Sequence, residues 1–436
     1  MPLELDFEHR PVDSKSSFET AIERARDGDR LSVDDAVELL TTGSDADGVD
    51  ARRRDEVLDA ADVRRRETVG DEVTFVANYN NNLTTACDVG CEFCNFKDSA
   101  WRFREGAGGH GGYTLTPEDS GRRARAAVER GVYEMCSVSG LHPALALDAE
   151  HREALDPARP DYVSPGEFDV EPGCYVDHVE AMSDSGAHVH AVTPEEAAHA
   201  CRGVDWGYRE VYRRLKDAGL DSVPGTAAEV LVDEVRDVIC PNKIDTGDWL
   251  DAMRAAADVG LDLTATIMYG HVENEMHRAI HLERVRLLQD EIGTITEFVP
   301  LSFVHPETPL YRNHGVTGAS RDEDLLMVAV SRLYLDNVDH VQSSWVKYGD
   351  DLGLRMLECG ADDFMGTLLS EEITKRAGGE HGEFRSFEWY VDAIESIDRV
   401  PVERSTDYRL RRRVEGPPFG PALGPEADGS PLVDGG

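Results

Sequence analysis

Strand-like and helix-like segments alternate along the middle of the chain, and this alternation restricts the possible fold more than any other feature. β-Branched and aromatic stretches predict strands at 73–80, 133–138, 188–192, 263–268, 295–299 and 340–342. Helix starts recur between them, with a capping threonine, a proline and acidic residues at 116–119 and again at 193–196. Parallel strands joined by crossover helices produce this order. Six or more such units predict an α/β fold, a closed or partly closed TIM-like (β/α) barrel.

The barrel is predicted to occupy residues 71–400. Residues 1–70 predict a helical N-terminal extension, in which Ser32 caps a helix with acidic residues in its first turn. Residues 401–436 are rich in Arg, Pro, Gly and Asp, and we predict that they form a mobile acidic tail. The proline- and acid-rich stretch 148–173 is interpreted as a surface insertion without assigned chemistry.

Three cysteines, Cys87, Cys91 and Cys94, follow the first predicted strand at the spacing C-x3-C-x2-C. Iron–sulfur clusters are held by thiolates, four of them in the common case. Three thiolates on a 4Fe-4S cluster leave one iron free to bind a small molecule, as the open position of a catalytic metal site does. Since barrel active sites lie at the C-terminal ends of strands, the cysteine loop is placed where catalysis is expected.

A structural zinc site is the alternative interpretation of these cysteines, with His110 or His142 as the fourth ligand. Structural zinc sites favour paired C-x2-C units, and this stretch contains only one. The spacing therefore favours the iron–sulfur cluster. The remaining cysteines are interpreted as ordinary buried residues: Cys136, Cys174, Cys201, Cys240 and Cys359.

The composition indicates a folded protein with a strongly acidic surface. Of the 436 residues, 40% are hydrophobic and 30% are charged, and the formal net charge is −41. Nucleic acids and anionic membranes are bound through basic surfaces, so neither is expected as a partner. The acids are spread along the whole chain, as in proteins adapted to high salt, which screens their repulsion. With no signal peptide and no run of about 18 apolar residues, a reducing cytoplasm is the expected location.

Polar residues near the ends of predicted strands are the candidates for ligand contacts. Ser139, Gly140 and His142 follow the second strand. Glu229 follows a proline–glycine turn in an apolar setting, which predicts a buried and paired carboxylate. Glu297 lies inside an apolar strand, where it needs a cationic or hydrogen-bonding partner, and a substrate amine would serve.

His271 and Glu273 end the strand that contains Ile267. Their alternation with a glycine and a valine suits hydrogen bonds to a polar ligand. Helix capping is the alternative role for both residues.

The cysteine loop, with the aromatic Phe93 before its last cysteine, resembles that of the radical S-adenosylmethionine (SAM) superfamily. The resemblance implies that the amino and carboxylate groups of SAM chelate the free iron. Reduction by an electron donor such as ferredoxin or flavodoxin then cleaves SAM to methionine and a 5'-deoxyadenosyl radical. Phe93, Ser139, Gly140 and His142 are the implied SAM contacts. Superfamily members carry a Gly-Gly pair after the second strand, and Ser139-Gly140 stands there in this sequence.

Further segments of the chain resemble one subgroup of that superfamily, the deazaflavin and futalosine-pathway enzymes. These segments are residues 215–229, 240–244, 264–273, 297–303 and 360–363. The likeness covers about residues 70–400. Within the subgroup, the chain resembles the family of tyrosine-using subunits of the synthase that makes the 8-hydroxy-5-deazaflavin chromophore of coenzyme F-420.

The family resemblance implies a substrate pair and a reaction. The deoxyadenosyl radical abstracts hydrogen from L-tyrosine, the Cα–Cβ bond breaks, and the 4-hydroxybenzyl radical adds to C5 of 5-amino-6-(D-ribitylamino)uracil. The remaining fragment leaves as 2-iminoacetate, and a companion radical SAM subunit closes the deazaflavin ring. Glu229, His271, Glu273 and Glu297 are the implied substrate contacts.

Two alternatives remain open at this point. A menaquinone-pathway enzyme of the same subgroup would act on a futalosine-type nucleoside. A non-catalytic iron–sulfur or zinc protein would carry electrons or support a complex.

Overall fold

The computed structural model describes residues 16–42, 51–107, 111–159, 162–370, 372–382, 384–409 and 411–414. His110, one candidate zinc ligand, lies outside these ranges, as do the first 15 residues of the predicted helical extension. The predicted mobile tail also lies outside them from residue 415 onward.

The strands within the described residues are β1 (Glu72–Val76), β2 (Asn78–Asn80), β3 (Glu134–Ser137), β4 (His188–Ala191), β5 (Ser222–Val223), β6 (Asp262–Tyr269), β7 (Ile295–Ser302), β8 (His340–Val341), β9 (Asp363–Gly366), β10 (Val400–Arg404) and β11 (Arg411–Arg413). The first nine α-helices are α1 (Phe18–Asp27), α2 (Val33–Thr41), α3 (Ala51–Val69), α4 (Pro117–Glu129), α5 (Ala149–Ala154), α6 (Tyr175–Ser183), α7 (Pro194–Cys201), α8 (Tyr208–Asp217) and α9 (Asp233–Ile239). The remaining α-helices are α10 (Thr246–Asp258), α11 (Glu275–Ile292), α12 (Pro309–His314), α13 (Arg321–Tyr334), α14 (Trp345–Tyr348), α15 (Asp350–Met356), α16 (Glu372–Arg376) and α17 (Phe387–Glu395).

Seven strands form a parallel sheet in chain order from β2 to β8. A second sheet has the order β11-β10-β1-β9, and a parallel bridge between Gln342 and Asp363 links it to the first. Because β1 and β2 belong to one continuous segment, that segment joins the sheets on the other side. The strands thus curl into the α/β barrel that the alternation predicted.

The predicted strand at 73–80 is two strands in two sheets. β1 pairs with β9 and β10, whereas β2 pairs with β3. The break lies at Ala77, whose carbonyl oxygen accepts hydrogen bonds from the backbone N–H groups of Tyr133 (2.8 Å) and Glu134 (3.1 Å). One residue therefore changes the pairing partner of a segment that the sequence predicted as a single strand.

Helices α1 to α3 confirm the helical character of the N-terminal extension over its described residues. Ser32 caps α2, its hydroxyl accepts from the backbone N–H of Asp35, and the Asp35 carboxylate accepts from the backbone N–H of Ser32. Helices α2 and α3 pack against α13 on the outside of the barrel. Within the described ranges, no helix combines the length and apolar character needed to cross a membrane.

The chain beyond residue 400 continues the ordered core, where the sequence predicted a tail. β10 pairs in parallel with β1, and β11 pairs antiparallel with β10. Residues Arg404 to Thr406 and Tyr408 are buried. The arginine-rich composition hid this segment, because one of its arginines, Arg404, is a buried partner of acids inside the barrel, whereas Arg409 and Arg413 lie at the surface. The ordered core therefore extends to residue 414.

Candidate active site

The cysteine loop leaves the C-terminal end of β2 and is fixed by backbone hydrogen bonds to Asp98 and to residues of helices α9 and α12. The N–H of Cys87 donates to the carbonyl of Asp98 at 2.9 Å. The N–H of Glu92 donates to the carbonyl of Ile239 at 2.8 Å, and the N–H of Leu310 donates to the carbonyl of Glu92 at 2.7 Å. These contacts hold the loop at the carboxyl end of the barrel, where catalytic groups of such barrels lie.

The three thiols of this loop are free of disulfide bonds. The backbone N–H groups of Val89 and Leu141 favour the Cys87 thiolate and lower its pKa, and Cys91 lies within the field of the Lys243 ammonium. Burial raises the pKa of the Cys87 and Cys91 thiols, while Lys243 acts in the opposite direction. N–H donors to sulfur and a nearby cation are features that stabilise thiolate ligands of iron–sulfur clusters, so the donor set fits that cofactor.

The zinc alternative with His142 finds no ligand set in the described ranges, and its other candidate ligand, His110, lies outside them. No three Cys, His, Asp or Glu side chains are grouped there around a position for one metal ion. The His142 ring packs against Phe168 with a centroid distance of 4.3 Å, and its Nδ1 accepts from the N–H of Ala144 at 3.2 Å. His142 therefore supports the loop after β3, and its contact with SAM stays a prediction.

A buried ion pair lies beside the cysteines. Lys243 Nζ donates to Glu229 Oε1 at 2.7 Å, and the two side chains are only 11% and 9% exposed. Burial alone would lower the pKa of Lys243, but Glu229 and Cys91 outweigh it and raise the pKa. The Phe93 ring centroid is 5.6 Å from the same ammonium. Glu229, Phe93 and Cys91 thus meet around Lys243.

The loop that carries Glu229 holds two residues in the left-handed backbone region. Ala227 has φ 80° and Glu229 has φ 46°, conformations that cost free energy for residues other than glycine. The Arg236 guanidinium holds this loop by donating to the carbonyl oxygens of Ala227 and Ala228. Such stored strain is typical of loops whose geometry serves a site.

Lys243 is the functional candidate that sequence reasoning missed. It lies in the segment 240–244, which had been noted only as part of the family resemblance. The available signal was Glu229, because a buried carboxylate needs a cationic partner. No local pattern identifies which of the chain's lysines or arginines supplies it.

Breaking this pair is expected to destabilise the fold. Lys243→Met leaves the Glu229 carboxylate buried without its cation, so the free energy of unfolding should fall by about 3 kcal/mol. Urea unfolding measures the change. The double variant Lys243→Met/Glu229→Gln is the control, because it removes both charges and should lose less than the single variant. Equal losses in both variants would contradict the role of an uncompensated charge.

Ser139 and Gly140 hold the backbone that precedes Cys87. Ser139 Oγ accepts from the N–H of Leu83 at 2.7 Å, and the N–H of Gly140 donates to the carbonyl of Thr84 at 2.9 Å. A Cβ atom at position 140 would lie 2.6 Å from the carbonyl oxygen of Ala86. Glycine is therefore required at position 140 because two loops approach closely there. This requirement does not depend on a contact with SAM.

A methyl group at position 140 should displace the cysteine loop. In Gly140→Ala, the Ala86 carbonyl must shift, and it adjoins Cys87. We expect about tenfold less iron and sulfide per chain after reconstitution, measured by colorimetric analysis. Gly207→Ala is the matched control, because a Cβ there meets nothing within 4 Å. Normal iron content in Gly140→Ala would show that the loop accommodates the methyl group.

His271 and Glu273 lie in one loop and contact each other within it. The Glu273 carboxylate accepts from the N–H groups of Gly270 (2.6 Å) and His271 (2.9 Å) and from Arg278 Nε (2.8 Å). Burial raises the pKa of Glu273, but His271 and Arg278 outweigh it and hold the pKa well below its usual range. Both residues thus hold the loop that precedes α11. This role is similar to the predicted alternative of helix capping, but the N-cap residue of α11 is Asn274.

Glu297 lies at the other end of the barrel from the cysteines. It is near the start of β7, and its Oε2 accepts from Tyr408 Oη (2.5 Å), Arg404 Nη2 (3.2 Å) and Gln342 Nε2 (3.3 Å). Burial raises the pKa of Glu297 to about 7, and Arg404 opposes the rise. The expected substrate amine is therefore replaced by a guanidinium of the chain itself, from a segment that the sequence assigned to a tail.

Comparison with known proteins places this site in a family. The sequence profile of the radical SAM superfamily matches residues 81–285, and that of the CofH/MqnC C-terminal region matches residues 292–416. A protein of Haloarcula marismortui is 64% identical over an alignment of 436 positions, which covers 98% of this chain and 97% of that protein. It is named 5-amino-6-(D-ribitylamino)uracil–L-tyrosine 4-hydroxyphenyl transferase. This chain belongs to that transferase family.

More distant comparisons agree with the assignment. The transferase of Methanoculleus marisnigri is 42% identical over 387 residues, which are 88% of this chain and 95% of that protein. The crystal structure of methylornithine synthase (PylB) aligns with a TM-score of 0.62 at 17% identity, over 87% of this chain and 97% of that one. That of the [FeFe]-hydrogenase maturase HydG aligns with a TM-score of 0.62 at 15% identity, over 91% of this chain and 79% of that one. Both solved structures support the barrel fold.

The match to the CofH/MqnC C-terminal region ends at residue 416, close to the last described residue. It therefore includes β10, β11 and the buried Arg404. In this family member the second sheet and the segment that reaches Glu297 form part of the matched domain, which agrees with their burial in the structure.

Proposed function

We propose that this chain is a radical SAM transferase of coenzyme F-420 biosynthesis that cleaves L-tyrosine and transfers its 4-hydroxybenzyl group to 5-amino-6-(D-ribitylamino)uracil. The observation that carries the proposal is the 64% identity to the Haloarcula marismortui transferase over nearly the full length of both proteins. The site agrees with it, because three thiols lie on one loop at the carboxyl end of the barrel.

Cys87, Cys91 and Cys94 are the proposed ligands of a 4Fe-4S cluster, with SAM at the fourth iron. When bound, this pair supplies a 5'-deoxyadenosyl radical on reduction. The chain's own part is to stabilise the thiolates through the N–H groups that reach Cys87 and through the Lys243 ammonium. Phe93, Ser139 and Gly140 remain the proposed SAM contacts.

The buried Lys243–Glu229 pair suits ligands that carry both charges. SAM and L-tyrosine each have an amino and a carboxylate group, and an ammonium has three donors of which Glu229 takes one. We therefore keep Glu229 as a proposed contact at the carboxyl end of the barrel. The barrel wall surrounds this end on its sides, and bound SAM and substrates would complete the exclusion of water, which protects reactive species and aligns the reactants.

Two protein partners belong to the same proposal. A reduced ferredoxin or flavodoxin would supply the electron, and a companion radical SAM subunit would close the deazaflavin ring.

The test is to incubate reduced, reconstituted enzyme with SAM and the two substrates and to follow products by mass spectrometry. We expect 5'-deoxyadenosine, methionine, 2-iminoacetate or its hydrolysis product, and the 4-hydroxybenzyl adduct of the uracil, all dependent on tyrosine. Deoxyadenosine formed with a futalosine-type nucleoside and not with tyrosine would favour the menaquinone-pathway alternative. Stoichiometric zinc without sulfide in the isolated protein would overturn the radical mechanism.

A further inference from the structure

Partly exposed side chains near the carboxyl ends of the strands indicate that solvent enters the barrel from that end. Side chains that face the helices are fully buried, as Met135, Val189 and Phe298 are. By contrast, five strands carry a half-buried side chain at the opposite parity near their carboxyl ends: Asn80, Cys136, Met268, Leu301 and Met365. In β7 the adjacent Ser302 is half-buried as well. Asn80 is in register with Cys136, and Met268 with Leu301. Because alternate residues of a strand point to opposite faces, these side chains line the barrel interior.

His190 faces this interior with one ring nitrogen available. It is in register with Cys136, and its Nδ1 is 2.7 Å from Ser222 Oγ. Its Nε2 has no hydrogen-bond partner among the described residues, and it is not among the polar atoms sealed from solvent. Burial lowers the pKa of His190 to about 4, so the ring is neutral at physiological pH. A neutral imidazole offers one donor or one acceptor at Nε2.

Gln342 also presents a neutral polar side chain. It directly follows β8, the last strand of the seven-stranded sheet. Its Nε2 donates to Glu297 at 3.3 Å. Its Oε1 has no partner in the described part of the chain and keeps contact with solvent. His190 and Gln342 are each 7% exposed, which is the accessibility expected of groups at the bottom of a narrow space.

The charges beneath these two groups are already paired. Glu134 accepts from Asn78 Nδ2 at 3.2 Å and from Thr406 Oγ1 at 2.6 Å. The Arg404 guanidinium donates to both Glu297 and Asp363. At the level of His190 and Gln342, the barrel interior therefore offers neutral hydrogen-bonding atoms. The Lys243–Glu229 pair places charges nearer the carboxyl end.

We propose that His190 Nε2 and Gln342 Oε1 bind the neutral, hydroxyl- and amide-bearing substrate, 5-amino-6-(D-ribitylamino)uracil, inside the barrel. This assignment rests on the proposed function. The zwitterionic tyrosine is then bound nearer the cysteine loop, where the charged pair lies. The uracil ring and ribityl chain carry neutral donors and acceptors, which match an imidazole and an amide without leaving a buried charge unpaired.

The experiment measures binding of the stable probe 6-(D-ribitylamino)uracil to the reconstituted full chain with SAM, by isothermal titration calorimetry. His190→Asn keeps an amide near Nδ1 for Ser222 and loses the atom at Nε2, so probe affinity should fall about tenfold, the worth of one hydrogen bond. His190→Gln places an amide near the position of Nε2 and should stay within about threefold of the unmodified chain. Gln342→Met should lose about tenfold for the same reason. Val189→Ala, on the helix-facing side of β4, is the control and should bind normally.

Unchanged affinity in both His190→Asn and Gln342→Met would overturn the assignment. Equal losses in His190→Asn and His190→Gln would also overturn it, because they would place the effect at Ser222 and not at Nε2. Failure of the proposed function has a different signature, namely an unmodified chain that neither binds the probe nor cleaves SAM with tyrosine. If the inference is correct, His190→Asn should still bind tyrosine with normal affinity.

Discussion

Replacing Cys91 with alanine is expected to abolish tyrosine-dependent SAM cleavage, with a loss of at least about a thousandfold in rate. Two thiolates hold a 4Fe-4S cluster poorly, and the next cysteine along the sequence after Cys94 is Cys136, outside the loop. Iron and sulfide analysis of the reconstituted variant should show the loss directly, and deoxyadenosine production measures its effect on chemistry.

Cys240→Ala is the matched control for this variant. Cys240 is buried and close enough to interact electrostatically with Cys91, but it lies outside the three-cysteine loop. Its replacement should leave iron content and activity near those of the unmodified chain. Full cluster content in Cys91→Ala, or its loss in Cys240→Ala, would show that the cluster has a different ligand set.

Replacing Arg404 with methionine is expected to destabilise the protein by about 5 kcal/mol or more. The guanidinium is buried and pairs with two acids, at 3.2 Å from Glu297 and 3.2 Å from Asp363. Removing one cation leaves both carboxylates buried and uncompensated, which costs more than the breaking of a single buried pair. Urea unfolding at constant salt measures the change, since an ionic denaturant would screen the surface charges.

Arg413→Met is the control for position 404, because it changes the same residue type in the same C-terminal segment. Its side chain is 64% exposed, and it pairs with Glu72 at the surface. Exposed pairs of this kind contribute about 0–1 kcal/mol, so little change is expected. Similar unfolding midpoints for Arg404→Met and Arg413→Met would contradict the role of the C-terminal segment in the core.

Local sequence patterns predicted much of the barrel and the cysteine loop. A strand, a helix start or a C-x3-C-x2-C spacing is decided by neighbouring residues, and the structure has strands and helices where those patterns occur. The capping of α2 by Ser32 is one case in which hydrogen bonds within four residues decide the local conformation.

Contacts between distant residues could not be predicted in the same way. Glu297 was assigned a substrate amine because its real partner, Arg404, is separated from it by 107 positions. Lys243 was missed for a related reason, since nothing local links it to Glu229. The split at Ala77 depends on hydrogen bonds from residues 133 and 134, which the segment itself does not reveal. Each error arose where a residue's environment is supplied by another part of the chain.

The pairing of β1 with β10 has a consequence for biosynthesis. Glu72 lies in register with Val400, so a strand made early in translation finds its neighbour only near the end. A nascent chain on the ribosome therefore keeps one flank of β1 open, with Glu297 and Asp363 lacking their arginine. We expect the native barrel, and with it a stable cofactor site, to form only after the last residues have emerged.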